Sequence, residues 1–202
     1  MIKKLNSQIK SPKLPVGNYI VMILTCVVFI VQFTLDYRQQ YLTGLILEKV
    51  TFSAILGHMW LHADILHFLC NLVFLWIFGH AVCLKIGNTN YPLAYIFVGF
   101  VSAVAHILYD GRPAIGASGA IFGILGMHLV LFFRYFSFAG PWIILIWFTT
   151  NLAMGITGYY PTAYFSHIGG FFAGIILAFF LVLFRAVEFD EKDETMLSLF
   201  PS

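Results

Sequence analysis

Charged residues are scarce in this chain. Lysine, arginine, aspartate and glutamate make up 10% of its 202 residues, whereas 60% are hydrophobic. A soluble domain carries about 25% charged residues, so this composition excludes an ordinary soluble globular protein. The formal net charge of +2 is also too small to indicate a nucleic-acid-binding protein. The length suits a single domain embedded in a membrane.

Acidic side chains are absent from every long apolar run, because all nine aspartates and glutamates lie outside these runs. Proton-coupled transporters and cation channels usually place a carboxylate within the membrane, so this absence argues against both classes.

Cysteine is also rare. Cys26, Cys70 and Cys83 form no CxxC pair, and they indicate neither a disulfide framework nor a cysteine metal site.

Six apolar runs can each form a helix that crosses most or all of a bilayer core about 30 Å thick. They predict an all-α polytopic membrane protein, a bundle of six transmembrane helices. The membrane domain is expected over residues 19–185, between a cytoplasmic N-terminal segment, 1–18, and an acidic cytoplasmic tail, 186–202. The predicted spans are Tyr19–Leu35, Ile65–Leu84, Pro92–Leu108, Ser118–Phe133, Trp142–Gly158 and Tyr164–Phe184.

Lysine and arginine are distributed unevenly between the two sides of this arrangement. If the N-terminus is cytoplasmic, eight of these residues lie on inner segments and three on outer segments, counted from the sequence. The positive-inside rule therefore predicts that both termini face the cytoplasm. Residues 39–64 are apolar for a loop, and two interpretations are open: a long outer loop in the membrane interface, which we favour, or a seventh span.

A serine between glycines begins the fourth run, where residues 116–119 read Gly-Ala-Ser-Gly. The helix that follows is about 24 Å long, and Arg134 should hold its inner end at the cytoplasmic interface. Ser118 is therefore expected at the bottom of a depression that opens to the outside. The helix N-terminus there presents free N–H groups and a partial positive charge to whatever binds.

His167 lies three residues into the sixth run, at a depth that matches the depth of Ser118. A neutral imidazole can take the serine proton and return it to a leaving amine. The runs contain no aspartate or glutamate to orient that imidazole, so a Ser–His dyad is expected rather than a triad. Small residues at i, i+4 spacing let helices approach closely, and both runs carry them. These are Gly119, Gly123 and Gly126 in the fourth run, and Gly170 and Gly174 in the sixth.

His67 and Asn71 are four residues apart, so they share one face of the second predicted helix. Both can donate a hydrogen bond to an oxyanion, and the backbone N–H of Ser118 can be a third donor. His58 and His62 have the same spacing, but no glutamate lies between them as in the HExxH metal motif. No metal site and no cofactor are predicted. The roles of four histidines stay open: His58, His62, His106 and His128.

These elements resemble the rhomboid family of intramembrane serine proteases. The matching pieces are residues 116–119 with Gly123 and Gly126 behind them, the HxxxN element at 67–71, and residues 167–170 with Gly174. The resemblance implies that Ser118 is the nucleophile and His167 the base. It also implies an oxyanion hole formed by His67, Asn71 and the N–H of Ser118. The supporting residues are Gly116, Gly119, Phe122 and Gly170.

The resemblance further implies substrates that are single-span proteins of the lipid bilayer, cut near its outer face at small residues. Three positions depart from the family pattern. Phe122 replaces a frequent tyrosine, Ser166 replaces a usual alanine, and the region near Ser53 lacks a Trp-Arg pair. The compact frame without a recognisable targeting segment favours a bacterial plasma membrane. Neither the substrate nor the oligomeric state follows from the sequence.

Two other functions are considered. The first is a catalytically silent relative that binds membrane clients; such proteins generally lack the serine or the histidine, and both are present here. The second is a small transporter, which would need a carboxylate or a charge pair within a span.

Overall fold

The computed structural model describes residues 14–34, 44–48, 50–132, 146, 148–150, 153 and 163–187. Regular structure within these residues is helical, with one isolated antiparallel bridge between Leu47 and Ala114. A 3₁₀ turn, His58–Trp60, follows the second helix, and a π-helical segment, Leu75–Gly79, lies inside the third. The helices are α1 (Val16–Thr34), α2 (Phe52–Gly57), α3 (Ile65–Ile86), α4 (Asn90–Tyr109), α5 (Ser118–Leu131) and α6 (Tyr164–Leu183).

The fold is a helical membrane bundle, as the apolar runs predicted. Four helices, α1, α3, α4 and α6, are long and apolar enough to cross a membrane, and α5 is a shorter apolar helix. Their ends fall within a few residues of the predicted ends. Of the predicted span Trp142–Gly158, the structure describes residues 146, 148–150 and 153, so a bundle of six helices stays a prediction.

The described part of residues 39–64 contains α2, which is six residues long and too short to span a bilayer. Thr51 is the N-cap of this helix, and its side-chain oxygen accepts a hydrogen bond from the N–H of Ala54 at 3.2 Å. The finding favours the predicted loop over a seventh span.

Helix α5 is the centre of the bundle, and most of its residues are buried against α4 and α6. Glycines allow the contact with α6. A Cβ atom on Gly170 would clash with the carbonyl oxygen of Gly119, and one on Gly174 would clash with that of Gly123. The predicted close packing of the fourth and sixth runs through their glycines is therefore confirmed.

The perimeter of the bundle is apolar. Ile23 on α1, Leu93 on α4 and Phe179 on α6 are each more than 60% exposed, in company with many other large hydrophobic side chains. Such a surface would promote aggregation in water, whereas it suits contact with lipid chains. The protein is therefore an integral membrane protein.

A polar contact accompanies the π-helical segment of α3. The side-chain amide of Asn18, which is fully buried on α1, donates to the carbonyl oxygen of Leu75 at 2.9 Å. An inserted side chain of this kind gives a helix carbonyl a partner outside its own ladder, and π-bulges often occur at such interruptions. Asn18 therefore fastens α1 to the middle of α3.

Candidate active site

Ser118 and His167 are in hydrogen-bonding contact, with 2.8 Å between the serine Oγ and the histidine Nε2. Ser118 is the first residue of α5, and His167 lies in the first turn of α6. The glycine contacts between these helices hold the two first turns side by side. His167 is 6% exposed, so the pair is shielded from bulk solvent on the histidine side. The geometry suits proton transfer between the two side chains.

Two aromatic rings fix the plane of the His167 imidazole. Phe122 lies one turn after Ser118 and stacks on the imidazole, with 4.4 Å between ring centroids and 8° between planes. Tyr164 presents its edge from the other direction, at 6.3 Å and 87°. Phenylalanine thus supplies the stacking surface at the position where the sequence departs from the family pattern.

His67 lies against the backbone of Gly116, two residues before Ser118. A Cβ atom placed on Gly116 would lie 2.9 Å from Nε2 of His67 and 3.7 Å from Oγ of Ser118. This edge of the imidazole therefore faces the space beside the serine. Gly116 also has a φ of +128°, which strains any residue with a side chain, so glycine is needed there for two reasons.

Asn71 lies one turn after His67 on α3, and both residues line a cavity that also contains Ser118 and His167. Its side-chain amide donates to the carbonyl oxygen of His67 at 3.0 Å. An amide nitrogen carries two hydrogens, so this bond leaves one N–H of Asn71 for a group in the cavity. Asn71 stays a predicted oxyanion donor, and it also holds the first turn of α3.

Two histidines of open role hold the loop that leads into Ser118. The carbonyl oxygen of His58 accepts the N–H of Gly116 at 2.9 Å. The Nε2 atom of His106 donates to the carbonyl oxygen of Arg112 at 2.7 Å. Both histidines are almost fully buried, and they secure opposite ends of the segment from Gly111 to Ala117. They contribute to the position of Ser118 without contacting it.

Further contacts complete this support. Leu47 and Ala114 exchange two backbone hydrogen bonds, at 3.0 Å and 3.2 Å. Asp110 accepts hydrogen bonds from the guanidinium of Arg112, and this pairing lowers the pKa of the Asp110 carboxyl. Both members of the ion pair line the cavity that contains Ser118 and His167. The backbone around the serine is therefore fixed from three directions.

Gln32 on α1 is a polar contact that the sequence analysis missed. Its side-chain amide donates to the carbonyl oxygen of His62 at 2.6 Å and accepts the N–H of His62 at 3.0 Å. The only signal in the sequence was a lone glutamine within an apolar run, which in a membrane requires a hydrogen-bonding partner.

Burial keeps two loop histidines neutral. It lowers the pKa of His58 from 6.5 to about 4, and nearby His106 adds to the lowering while hydrogen bonds to Ala54 and Ile55 oppose it. Burial likewise lowers the pKa of His62 to about 4, and adjacent His67 adds to that effect. Below pH 6.5 the unfolded chain therefore binds protons that the folded protein excludes.

The folded protein should lose stability as the pH falls from about 6.5 to about 4, since more protons bind the unfolded state in this window. A pKa lowering of this size corresponds to roughly 3 kcal/mol for His58. His58→Asn keeps an N–H donor for the Ala54 carbonyl and removes the titration, so its unfolding free energy should depend less steeply on pH. Equilibrium unfolding in micelles across this range measures both slopes. Identical slopes in the two proteins would contradict the assignment to His58.

The site opens into a cavity of about 800 Å³. Most of its lining is apolar and a small number of polar side chains interrupt it, which is the usual composition of a binding pocket. The volume suits a short extended peptide segment. Besides Ser118 and His167, the polar residues of the lining are His67, Asn71, His106, Asp110, Arg112, Thr150 and Tyr164.

Within the described ranges, no group of three histidine, cysteine, aspartate or glutamate side chains is arranged to hold a metal ion. Nδ1 of His58 lies 2.9 Å from the carbonyl oxygen of Ile55, to which it donates, and the ring of His62 packs against Phe29 and Phe68. Contacts within the protein therefore hold each of these two imidazoles in place.

Comparison with known proteins identifies the family of this chain. The family model for the rhomboid domain matches residues 49–184, about two thirds of the sequence. The chain belongs to the rhomboid family. Rhomboids are in general intramembrane serine proteases.

Curated relatives span plants, bacteria and yeast. RHOMBOID-like protein 7 of Arabidopsis thaliana is 27% identical over 168 residues, which cover 81% of this chain and 54% of the relative. Rhomboid protease GluP of Bacillus subtilis is 33% identical over 136 residues, covering 65% of this chain and 26% of GluP. Rhomboid protein 1, mitochondrial, of Saccharomyces cerevisiae is 26% identical over 150 residues, covering 67% and 43%. The chain thus spans about half the length of these rhomboids or less.

Proposed function

We propose that this rhomboid is an active serine endopeptidase that hydrolyses peptide bonds of membrane-embedded substrates through a dyad of Ser118 and His167. The observation that carries the proposal is the contact of 2.8 Å between the serine hydroxyl and the histidine ring. A catalytically silent rhomboid that only binds membrane clients requires neither this Ser–His pair nor a cavity that leads to it. The relationship to a protein named as a rhomboid protease in Bacillus subtilis supports the same reading.

The reaction follows from the positions of these groups. Oγ of Ser118 attacks the carbonyl carbon of the scissile bond while Nε2 of His167 takes the hydroxyl proton. The imidazolium then gives this proton to the leaving amine, and an acyl-enzyme remains on Ser118. A water molecule from the cavity, deprotonated by His167, hydrolyses the ester and restores the serine.

Negative charge develops on the carbonyl oxygen in each tetrahedral intermediate. The N–H of Ser118 is one of the free donors at the beginning of α5, where the helix dipole adds a partial positive charge. The imidazole of His67 and the amide of Asn71 border the same space, and each is proposed as a further donor. One preorganised donor of this kind typically contributes about 10²- to 10³-fold in rate.

The substrates are proposed to be single-span membrane proteins that reach the cavity from the lipid and are cut near the outer face. The lysine and arginine distribution supports cytoplasmic termini. A bacterial plasma membrane is the proposed location, in line with the relationship to the rhomboid protease of Bacillus subtilis. The names of the relatives include both a mitochondrial and a bacterial protein, so the family occurs in more than one membrane.

Labelling with a fluorophosphonate probe tests the proposal, because such probes react with activated serines. The wild-type protein in detergent micelles is expected to gain one adduct per chain, and Ser118→Ala none. Ser53→Ala removes an exposed serine outside the site and should label like wild type. Equal labelling of the wild type and Ser118→Ala, or none of either, would contradict an activated Ser118 and favour a silent rhomboid.

A further inference from the structure

Whether His67 can donate a hydrogen bond to an oxyanion depends on which of its ring nitrogens carries the hydrogen. The N–H of Ala63 points to Nδ1 of His67 in a long hydrogen bond of 3.5 Å. A neutral imidazole has one N–H and one acceptor nitrogen, so an Nδ1 that accepts leaves the hydrogen on Nε2. Nε2 lies on the edge that faces Gly116 and the serine. In this tautomer, His67 presents a donor to an oxyanion.

The Ala63 N–H belongs to the same peptide group as the His62 carbonyl. A trans peptide is planar, so its C=O and N–H point in opposite directions, and fixing one fixes the other. The side chain of Gln32 holds that carbonyl at 2.6 Å, and it also holds the N–H of His62 at 3.0 Å. One glutamine therefore sets the orientation of the peptide that faces His67.

The two hydrogen bonds between Gln32 and His62 form a clamp that is hidden from solvent. Gln32 is 6% exposed and His62 is fully buried, so neither hydrogen bond can be exchanged for water without opening the bundle. The rings of Phe29 and Phe68 stack beside it with 4.0 Å between centroids and 5° between planes. This second contact joins α1 to α3 independently of Gln32, so loss of the amide should leave the helices packed.

We propose that Gln32 is a positioning residue for the proposed oxyanion hole. It holds the His62–Ala63 peptide so that the Ala63 N–H meets Nδ1 of His67 and keeps the Nε2 hydrogen of His67 facing Ser118. The inference rests on the proposed proteolytic function. Without the clamp the peptide can turn, and an imidazole with its hydrogen on Nδ1 presents a lone pair to the oxyanion.

A double-mutant cycle tests the connection between Gln32 and His67. Gln32→Met keeps the length of the side chain and removes both hydrogen bonds, and kcat and KM are measured on a transmembrane substrate in liposomes. We expect kcat to fall about ten- to a hundredfold with KM nearly unchanged, as for the partial loss of one oxyanion donor. In a His67→Ala background, Gln32→Met should lower kcat less than twofold, because its effect passes through His67.

Thr25→Val is the matched control on α1. Thr25 is fully buried and its hydroxyl bonds to the carbonyl of Val21 in its own helix, so this variant removes a buried polar group without touching the clamp. Its kcat should stay within twofold of wild type. If Gln32→Met does not fold, Gln32→Asn enters the same cycle, because its amide is one methylene too short to make both bonds.

Losses of kcat that multiply in the double variant would overturn the inference, as would a Gln32 variant that matches Thr25→Val in kcat. These results differ from a failure of the proposed function. If Ser118→Ala cleaves the substrate like wild type, the dyad is wrong whatever Gln32 does. If cleavage requires Ser118 and the Gln32 and His67 losses still multiply, only the positioning role of Gln32 fails.

Discussion

Replacing His167 with alanine is expected to lower kcat for cleavage of a transmembrane substrate by about 10²- to 10⁴-fold, the typical contribution of a general base. The loss is large because the hydroxyl of Ser118 is a weak nucleophile until a base takes its proton. The contact of 2.8 Å makes His167 the group positioned to do so. Cleavage of a fluorogenic substrate in liposomes, at saturating substrate, measures the effect.

His128→Phe is the control for this variant. His128 is fully buried in α5 and packs between the rings of Phe78 and Phe132, away from the cavity, so a phenyl ring should fill its place. Its kcat should remain close to that of wild type, and the unfolding free energies of both variants show whether each is folded. A folded His167→Ala protein with kcat within tenfold of wild type would contradict a catalytic base at this position.

Gly170→Ala is expected to have the second large effect, on stability as well as on activity. The new methyl group would clash with the carbonyl oxygen of Gly119, a backbone atom that cannot turn aside. Overpacking typically destabilises a core by about 1–3 kcal/mol, and a backbone clash belongs at the upper end of this range. Because α6 carries His167 three residues earlier, separation of the helices should also remove the base from Ser118 and lower kcat.

Equilibrium unfolding of Gly170→Ala in mixed micelles measures the loss of stability, and Ile176→Ala provides the comparison. Ile176 lies on the same helix but is 55% exposed on the lipid-facing side, so truncation there removes little packing. An unfolding free energy for Gly170→Ala equal to that of Ile176→Ala would show that the close helix contact is not needed.

The contact between Ser118 and His167 could be predicted from the sequence because depth along a helix can be counted at a constant rise per residue. Ser118 and His167 each lie at the beginning of an apolar run, and glycines at i, i+4 mark the faces on which their helices meet. Neither argument needs the path of a loop. For this reason the sequence alone predicts that these two residues, 49 positions apart, lie together.

The supports of the site could not be predicted in this way. The side chains of Gln32 and His106 bind carbonyl oxygens of non-repetitive segments, and no periodic pattern relates a loop carbonyl to the side chain that binds it. The bond from Asn71 to the carbonyl of His67 was missed for a related reason. Sequence spacing placed both residues on one face, but it does not show whether a side chain bonds its own helix or a ligand.

A double-mutant cycle between Ser118 and His167 tests the central claim most directly. If the hydroxyl and the imidazole act as one unit, Ser118→Ala, His167→Ala and the double variant should share the same residual cleavage rate, because either change removes the function of both. Losses that multiply in the double variant would show that the two side chains act independently, and this would contradict the proposed dyad.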